Sequence, residues 1–152
     1  MNQLKLSEIL PAPLSRVFAA WCDVDKLRQW FAPGDMTVPE AVADIRPGGR
    51  YRIVMEEPGG RRHIISGQYR EISPNERLRF SWQWEGNPSV TEVEVAFRAI
   101  DAERTELTLI HSDFPNEDAR DGHGKGWAAC LVKLRRYLCA NDATIQKERK
   151  RP

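Results

Sequence analysis

Residues 77–84 read Arg-Leu-Arg-Phe-Ser-Trp-Gln-Trp, and no other segment constrains the fold as tightly. Leu78, Phe80, Trp82 and Trp84 fall on one face of a strand, with Arg77, Arg79, Ser81 and Gln83 on the other. Burying each of the four large apolar residues is worth roughly 1.5–3 kcal/mol, so this strand lays one face on a core. Neighbouring segments share its period of two. Tyr51, Ile53 and Met55 alternate with Arg50, Arg52 and Val54. Val93, Val95 and Phe97 face inward against Glu92, Glu94 and Arg98, and Leu107, Leu109 and His111 share the inner face of a last strand. Pro47-Gly48-Gly49, Pro58-Gly59-Gly60, Ser73-Pro74-Asn75-Glu76, Gly86-Asn87-Pro88 and Asp101–Arg104 supply the turns between them. Two further strands, from about Thr37 to Ile45 or Arg46 and from about Arg62 to Ile72, complete an antiparallel meander; Gly67 indicates a bulge in the second.

Helical spacing flanks the meander on both sides. A first strand over Leu4, Leu6 and Ile9 ends at Pro11-Ala12-Pro13, because proline cannot donate to a ladder. Val17, Phe18 and Trp21 then recur at helical intervals. Asp23 is placed to cap a second short helix that buries Leu27, Trp30 and Phe31 and stops at Pro33-Gly34. After Pro115, Trp127, Cys130, Leu131, Leu134 and Leu138 form one stripe, opposite Lys133, Arg135 and Arg136. Gly122, Gly124 and Gly126 each cost a helix roughly 1 kcal/mol relative to alanine, so a regular helix is expected over 126–139 with a looser lead-in at 116–125. The class is α+β, with six or seven strands. No internal repeat or linker interrupts residues 1–140, which are expected to form one domain, and 141–152 a charged, frayed tail.

Composition removes several function classes. Lys and Arg number 23 against 22 Asp and Glu, a net charge of +1 that offers no electrostatic case for nucleic acid. No window approaches the roughly 18 consecutive apolar residues of a membrane span. Cys22, Cys130 and Cys139 have no metal-ligand or redox spacing, and their odd number without a secretory leader points to reduced thiols in a cytoplasm. At this length a domain buries roughly 70% of its unfolded surface, which needs no metal or disulfide staple.

Several stretches together resemble a known family. They are Trp21-Cys22-Asp23…Leu27…Trp30-Phe31, the Asp44-Ile45-Arg46-Pro47-Gly48-Gly49 hairpin, and Tyr69-Arg70-Glu71-Ile72-Ser73-Pro74…Arg77-Leu78. Phe80-Ser81-Trp82 and His111-Ser112-Asp113-Phe114…Gly126-Trp127 extend the likeness, which covers roughly residues 3–140. Their order and spacing are similar to bacterial members of the activator of heat-shock-protein ATPase homologue family, in the START-like (SRPBCC) superfamily. The resemblance implies a helix-grip fold, with a curved sheet holding the long C-terminal helix across its concave face. It also implies a small apolar or amphipathic, lipid-like ligand between sheet and helix, with no cofactor. Some branches of the superfamily are cyclases or hydrolases, and the eukaryotic namesake stimulates a chaperone ATPase as a two-domain protein. This chain matches only the second of those domains, so a chaperone partner ranks below a small ligand. A monomer or a homodimer is compatible with the family.

The candidate binding residues follow from the inward faces. Trp30, Phe31, Met55, Trp82, Trp84, Phe97, Trp127 and Leu131 are placed to line a pocket and stack on a flat or apolar ligand. His111 is expected at the cavity end of its strand, as a polar contact or, for an enzyme acting on an aromatic or polyketide-like substrate, as a base. The plain alternative is a buried histidine that ties the strand to the following turn. Ser112 and Asp113 cannot join His111 in a triad, because adjacent strand residues point to opposite faces. His63, His111 and His123 lie on separate segments without metal-ligand spacing, so no metal site and no catalytic residue is assigned.

Overall fold

A computed structural model describes the backbone of residues 2–149 and the side chains through Ala140. In chain order the elements are β1 (Leu4–Leu10), α1 (Leu14–Trp21), α2 (Val24–Trp30), β2 (Thr37–Ala43), β3 (Arg50–Glu56), β4 (Arg62–Ser73), β5 (Arg77–Trp84), β6 (Thr91–Ala99), β7 (Thr105–Ser112) and α3 (Glu117–Arg149). The seven strands form one antiparallel, curved sheet in the order β1-β7-β6-β5-β4-β3-β2. The meander therefore runs in sequence from β2 to β7, and β1 closes it by pairing Leu4 with His111 and Leu10 with Thr105. The charged tail expected at 141–152 lies outside the described side chains.

Alternation is realised strand by strand. Leu78, Phe80 and Trp82 of β5, Val93, Val95 and Phe97 of β6, and Leu107, Leu109 and His111 of β7 are all buried. The outer face carries an ion-pair lattice instead, in which Arg70 meets Glu92, Arg77 and Arg79 meet Glu71, and Arg98 meets Glu106. In β1 the inner residue is Leu10 rather than Ile9, which is 47% exposed. The strand stays regular to Leu10, and alternation from Leu4 then puts Ile9 outside. β2 ends at Ala43, earlier than expected, because Asp44 already belongs to the hairpin, with its N–H bonded to the Arg50 carbonyl.

Gly67 has a role other than the expected bulge. Pairing of β4 with β5 keeps one register from Ile65↔Trp84 to Tyr69↔Phe80 and shifts only between Tyr69 and Glu71, so the bulge is at Arg70. At Gly67 two backbones approach, and a Cβ would collide with the Ser81 carbonyl and crowd the Tyr51 ring. Tyr51 donates its hydroxyl hydrogen to that same carbonyl. The glycine leaves room for this aromatic bracket.

The two short helices form as expected. Asp23 caps α2, its Oδ1 accepting from the Asp25 and Lys26 N–H groups at 2.8 and 3.3 Å. Trp30 is fully buried and donates its indole hydrogen to the Ala20 carbonyl at 3.1 Å, locking α2 on α1. α3, however, begins at Glu117 and runs straight through its three glycines. Asn116 caps it by accepting from the Ala119 N–H at 2.9 Å, and Glu117 and Asp118 complement the dipole in the first turn. These contributions, with packing of the extra turns on the sheet, outweigh the glycine penalty.

α3 is held along its length. Arg135 donates to the Ile9 carbonyl, Lys133 to the Met36 carbonyl, and Arg16 of α1 to the Leu138 carbonyl. The stripe Trp127, Cys130, Leu131, Leu134 and Leu138 is buried as the pattern required. Leu134→Ala is expected to cost about 2–5 kcal/mol, since the site is closed on all sides. Val132→Ala, on the exposed side of the same turn, should change stability by less than about 0.5 kcal/mol. Urea unfolding of the two variants measures the contrast.

Candidate functional site: a cavity between the sheet and the long helix

The concave face of the sheet is too wide for α3 to fill. Towards the helix N-terminus a cavity of about 400 Å³ remains. Its floor is made of Phe31, Met55, Trp82, Trp127 and Cys130, all buried. Its mouth is set by Pro33, Met36, His63 and Trp84 on one side and by Asp118, Ala119, Gly122, His123 and Gly126 of α3 on the other. The lining positions of α3 repeat at helical spacing: 118 and 119, 122 and 123, 126 and 127, then 130. Gly122 and Gly126 have no atom within 4 Å of where a Cβ would stand, so their missing side chains are space. A larger residue at either position would project towards the void.

Five of the nine expected pocket residues therefore meet at one cavity: Phe31, Met55, Trp82, Trp84 and Trp127. Trp30, Phe97, His111 and Leu131 do not line it; they are buried behind the wall, and this corrects the expectation for those four. Trp30 packs edge-on against Trp21 at 4.7 Å, and Phe97 edge-on against Phe18 at 5.2 Å. Met36, His63, Asp118, His123, Gly122 and Gly126 were not among the candidates. Extending the α3 stripe one turn at a time towards the N-terminus would have found the last four. Met36 and His63 have no such signal, because they come from a loop and from a strand whose faces the pattern did not assign.

His111 is a structural tie. Trp127 donates its indole hydrogen to Nδ1 at 3.0 Å, which makes Nε2 the protonated nitrogen. Nε2–H then meets the Thr91 hydroxyl at 2.6 Å, and Thr91 donates to the Trp82 carbonyl at 3.3 Å. Both ring nitrogens are occupied, so neither is available to act as a base on a molecule in the cavity. Burial lowers the imidazole to about 3, with the neighbouring His123 adding to the shift.

His123 repeats the motif one layer out. Its Nδ1–H donates to the Ala119 carbonyl at 2.6 Å, and its Nε2 accepts from the Trp84 indole at 2.8 Å. The two imidazoles stand 5.3 Å apart with Phe114 packed on both, at 4.3 and 4.9 Å. The chain thus brings together two histidines that sequence spacing kept apart, but every nitrogen of the pair already has a partner. His63, at the opposite rim, bonds Glu57 at 2.6 Å.

The depressed His111 value has a definite sign. The unfolded chain takes up a proton near the ordinary imidazole value of 6.5, whereas the folded chain resists until about 3. The stability linked to this group is complete above about 6.5 and is lost as pH falls towards 3. Urea unfolding between those limits should show a steeper decline for the native chain than for His111→Gln. At neutral pH the same variant should be less stable by about 1–3 kcal/mol, because the Trp127 indole loses its buried acceptor.

Comparison with known structures agrees with this architecture. An AHSA1 protein from Silicibacter pomeroyi is 25% identical with a TM-score of 0.83, covering 91% of this chain and 99% of its own. A protein from Chromobacterium violaceum is 23% identical with a TM-score of 0.81, over 90% and 96%. One from Nitrosomonas europaea is 22% identical with a TM-score of 0.80, over 93% and 97%. No functionally curated protein matches the sequence. The profile of one family matches residues 11–139, from just after β1 to just past the end of the buried stripe. By that match the chain belongs to the Activator of Hsp90 ATPase homolog 1-like protein family.

Proposed function

We propose that this protein binds a small hydrophobic or amphipathic molecule in the cavity between the sheet and α3, without catalysing a reaction on it. The observation that carries the proposal is the lining itself. About 400 Å³ of open space is walled by three tryptophans, a phenylalanine and two methionines, within the usual size of a small-molecule site. A protein core packs to the density of an organic crystal, so a void this large beside so many apolar side chains indicates room kept for a guest. Two glycines in α3 enlarge it at a cost of roughly 1 kcal/mol each in helix stability.

The absence of catalysis is supported by the state of the histidines. His111 and His123 each use both ring nitrogens within the protein, and Cys130 on the floor is buried with its thiol pushed up to about 12. None of these three groups offers the space a free ring nitrogen or a thiolate. Among the described residues no helix is long and apolar enough to cross a membrane.

Thermal shift with a panel of apolar and amphipathic compounds tests the proposal. A ligand at one hundred times its dissociation constant should stabilise the fold by about 2.7 kcal/mol, raising Tm by roughly 5–10 °C for a domain of this size. Gly126→Leu, which fills the cavity from the helix side, should abolish that shift. If no compound class raises Tm and nothing apolar co-purifies by mass spectrometry, the binding proposal fails.

A further inference from the structure

The cavity lining is unequal in charge, and on the binding function proposed for it this inequality selects the head group of the occupant. Asp118 supplies a carboxylate at the rim, and neither lysine nor arginine contributes to the described lining. At the opposite rim His63 bonds Glu57, whose carboxylate is in turn matched by Arg61 at 3.8 Å, so that side adds no free cation. Cations on the surrounding elements are engaged elsewhere. Lys133 bonds the Met36 carbonyl at 2.7 Å, and Arg120 pairs with Asp121 at 3.1 Å. Lys125 is exposed at a helix position that does not line the cavity.

The N-terminus of α3 would ordinarily attract an anion, but here it is already compensated. Asn116 takes the Ala119 N–H, and Glu117 and Asp118 place two carboxylates in the first turn. A carboxylate or phosphate head entering the mouth would therefore meet like charge and find no positive partner. An ammonium head would meet the Asp118 carboxylate and the π-systems of Trp84 and Trp82, which attract cations over their faces. Further in, the lining loses its charge: Phe31, Met55 and Cys130 offer only apolar surface and a neutral thiol. Asp118 and Cys130 stand at opposite ends of the α3 lining, about 18 Å of helix at 1.5 Å per residue.

We infer that the occupant is a cationic amphiphile, with an ammonium head at the Asp118 end of the cavity and an apolar body directed towards Phe31, Met55 and Cys130. The polarity is set by the rim, and the affinity by the aromatic floor.

Three probes with one chain and different heads decide the matter: dodecyltrimethylammonium, dodecanoate and dodecanol, each kept below micelle formation. Binding is read by quenching of tryptophan fluorescence, since Trp82, Trp84 and Trp127 all border the space, and by Tm. The ammonium probe should bind at least about ten-fold more tightly than dodecanoate. Asp118→Asn should narrow that gap several-fold, with dodecanol as the uncharged reference. Gly126→Leu should weaken all three. Dodecanoate binding as tightly as the ammonium overturns the cationic head while leaving the cavity proposal standing. Failure of all three probes overturns both. Ammonium binding that survives Gly126→Leu undiminished lies outside the cavity and also overturns the inference.

Discussion

The hydrogen bond from the Trp127 indole to His111 joins the two halves of this molecule, and the cavity depends on it. Trp127 belongs to α3 and His111 to β7, and the bond between them is buried beyond the reach of water. Through Nε2 and Thr91 the same contact continues to the backbone of β5, so one polar chain spans helix, β7, β6 and β5. In a low-dielectric interior each member would be costly alone and is stabilising only when all are paired. The pairing fixes the distance of the helix from the sheet. Trp127 also stacks on Trp21 at 6.1 Å and meets Phe31 edge-on at 5.7 Å, so α1 and the segment after α2 are referred to the same ring.

With Trp127 pinned there, the helix N-terminal to it is propped away from the sheet, not laid flat on it. Trp84 and His123 provide the second prop, an indole donating to an imidazole as before, closer to the mouth. Between the two props the residue of α3 that lines the cavity is Gly126, and in the turn before His123 stand Gly122 and Ala119. Large aromatic spacers hold the layers apart while small helix residues decline to fill the gap. The same physics explains why His111, which the strand pattern directs inward, is inaccessible: it is part of the support.

Much of the architecture was legible in the sequence. Period-two alternation over 77–84, 91–99 and 105–112 identified the inner faces correctly, because a one-residue slip would have put Phe80 and Trp82 in water. Asp23 was readable as a cap, and 127–138 as a buried stripe. Less was legible of the site. The glycines at 122, 124 and 126 looked like a weak lead-in because propensity is a local quantity, whereas the packing of Ala119 and the bond of His123 to Trp84 of β5 are not. Gly67 looked like a bulge because a glycine within a strand has two physical uses, and only the position of Ser81 and Tyr51 distinguishes them.

By itself the sequence determined which residues are inside, in what order the strands follow, and that a long amphipathic helix closes the chain. Those properties depend on periodicity and turn chemistry, which act between residues close in sequence. The tertiary structure alone decided which inward aromatics border open space and which are sealed behind it. Phe31 and Trp30 are adjacent, equally apolar and both buried, yet only Phe31 touches the cavity. That difference depends on how far the helix stands from the sheet, a distance set by Trp127 and His111, sixteen residues apart on different elements. No local pattern encodes it, because a cavity is defined by the packing of several segments at once.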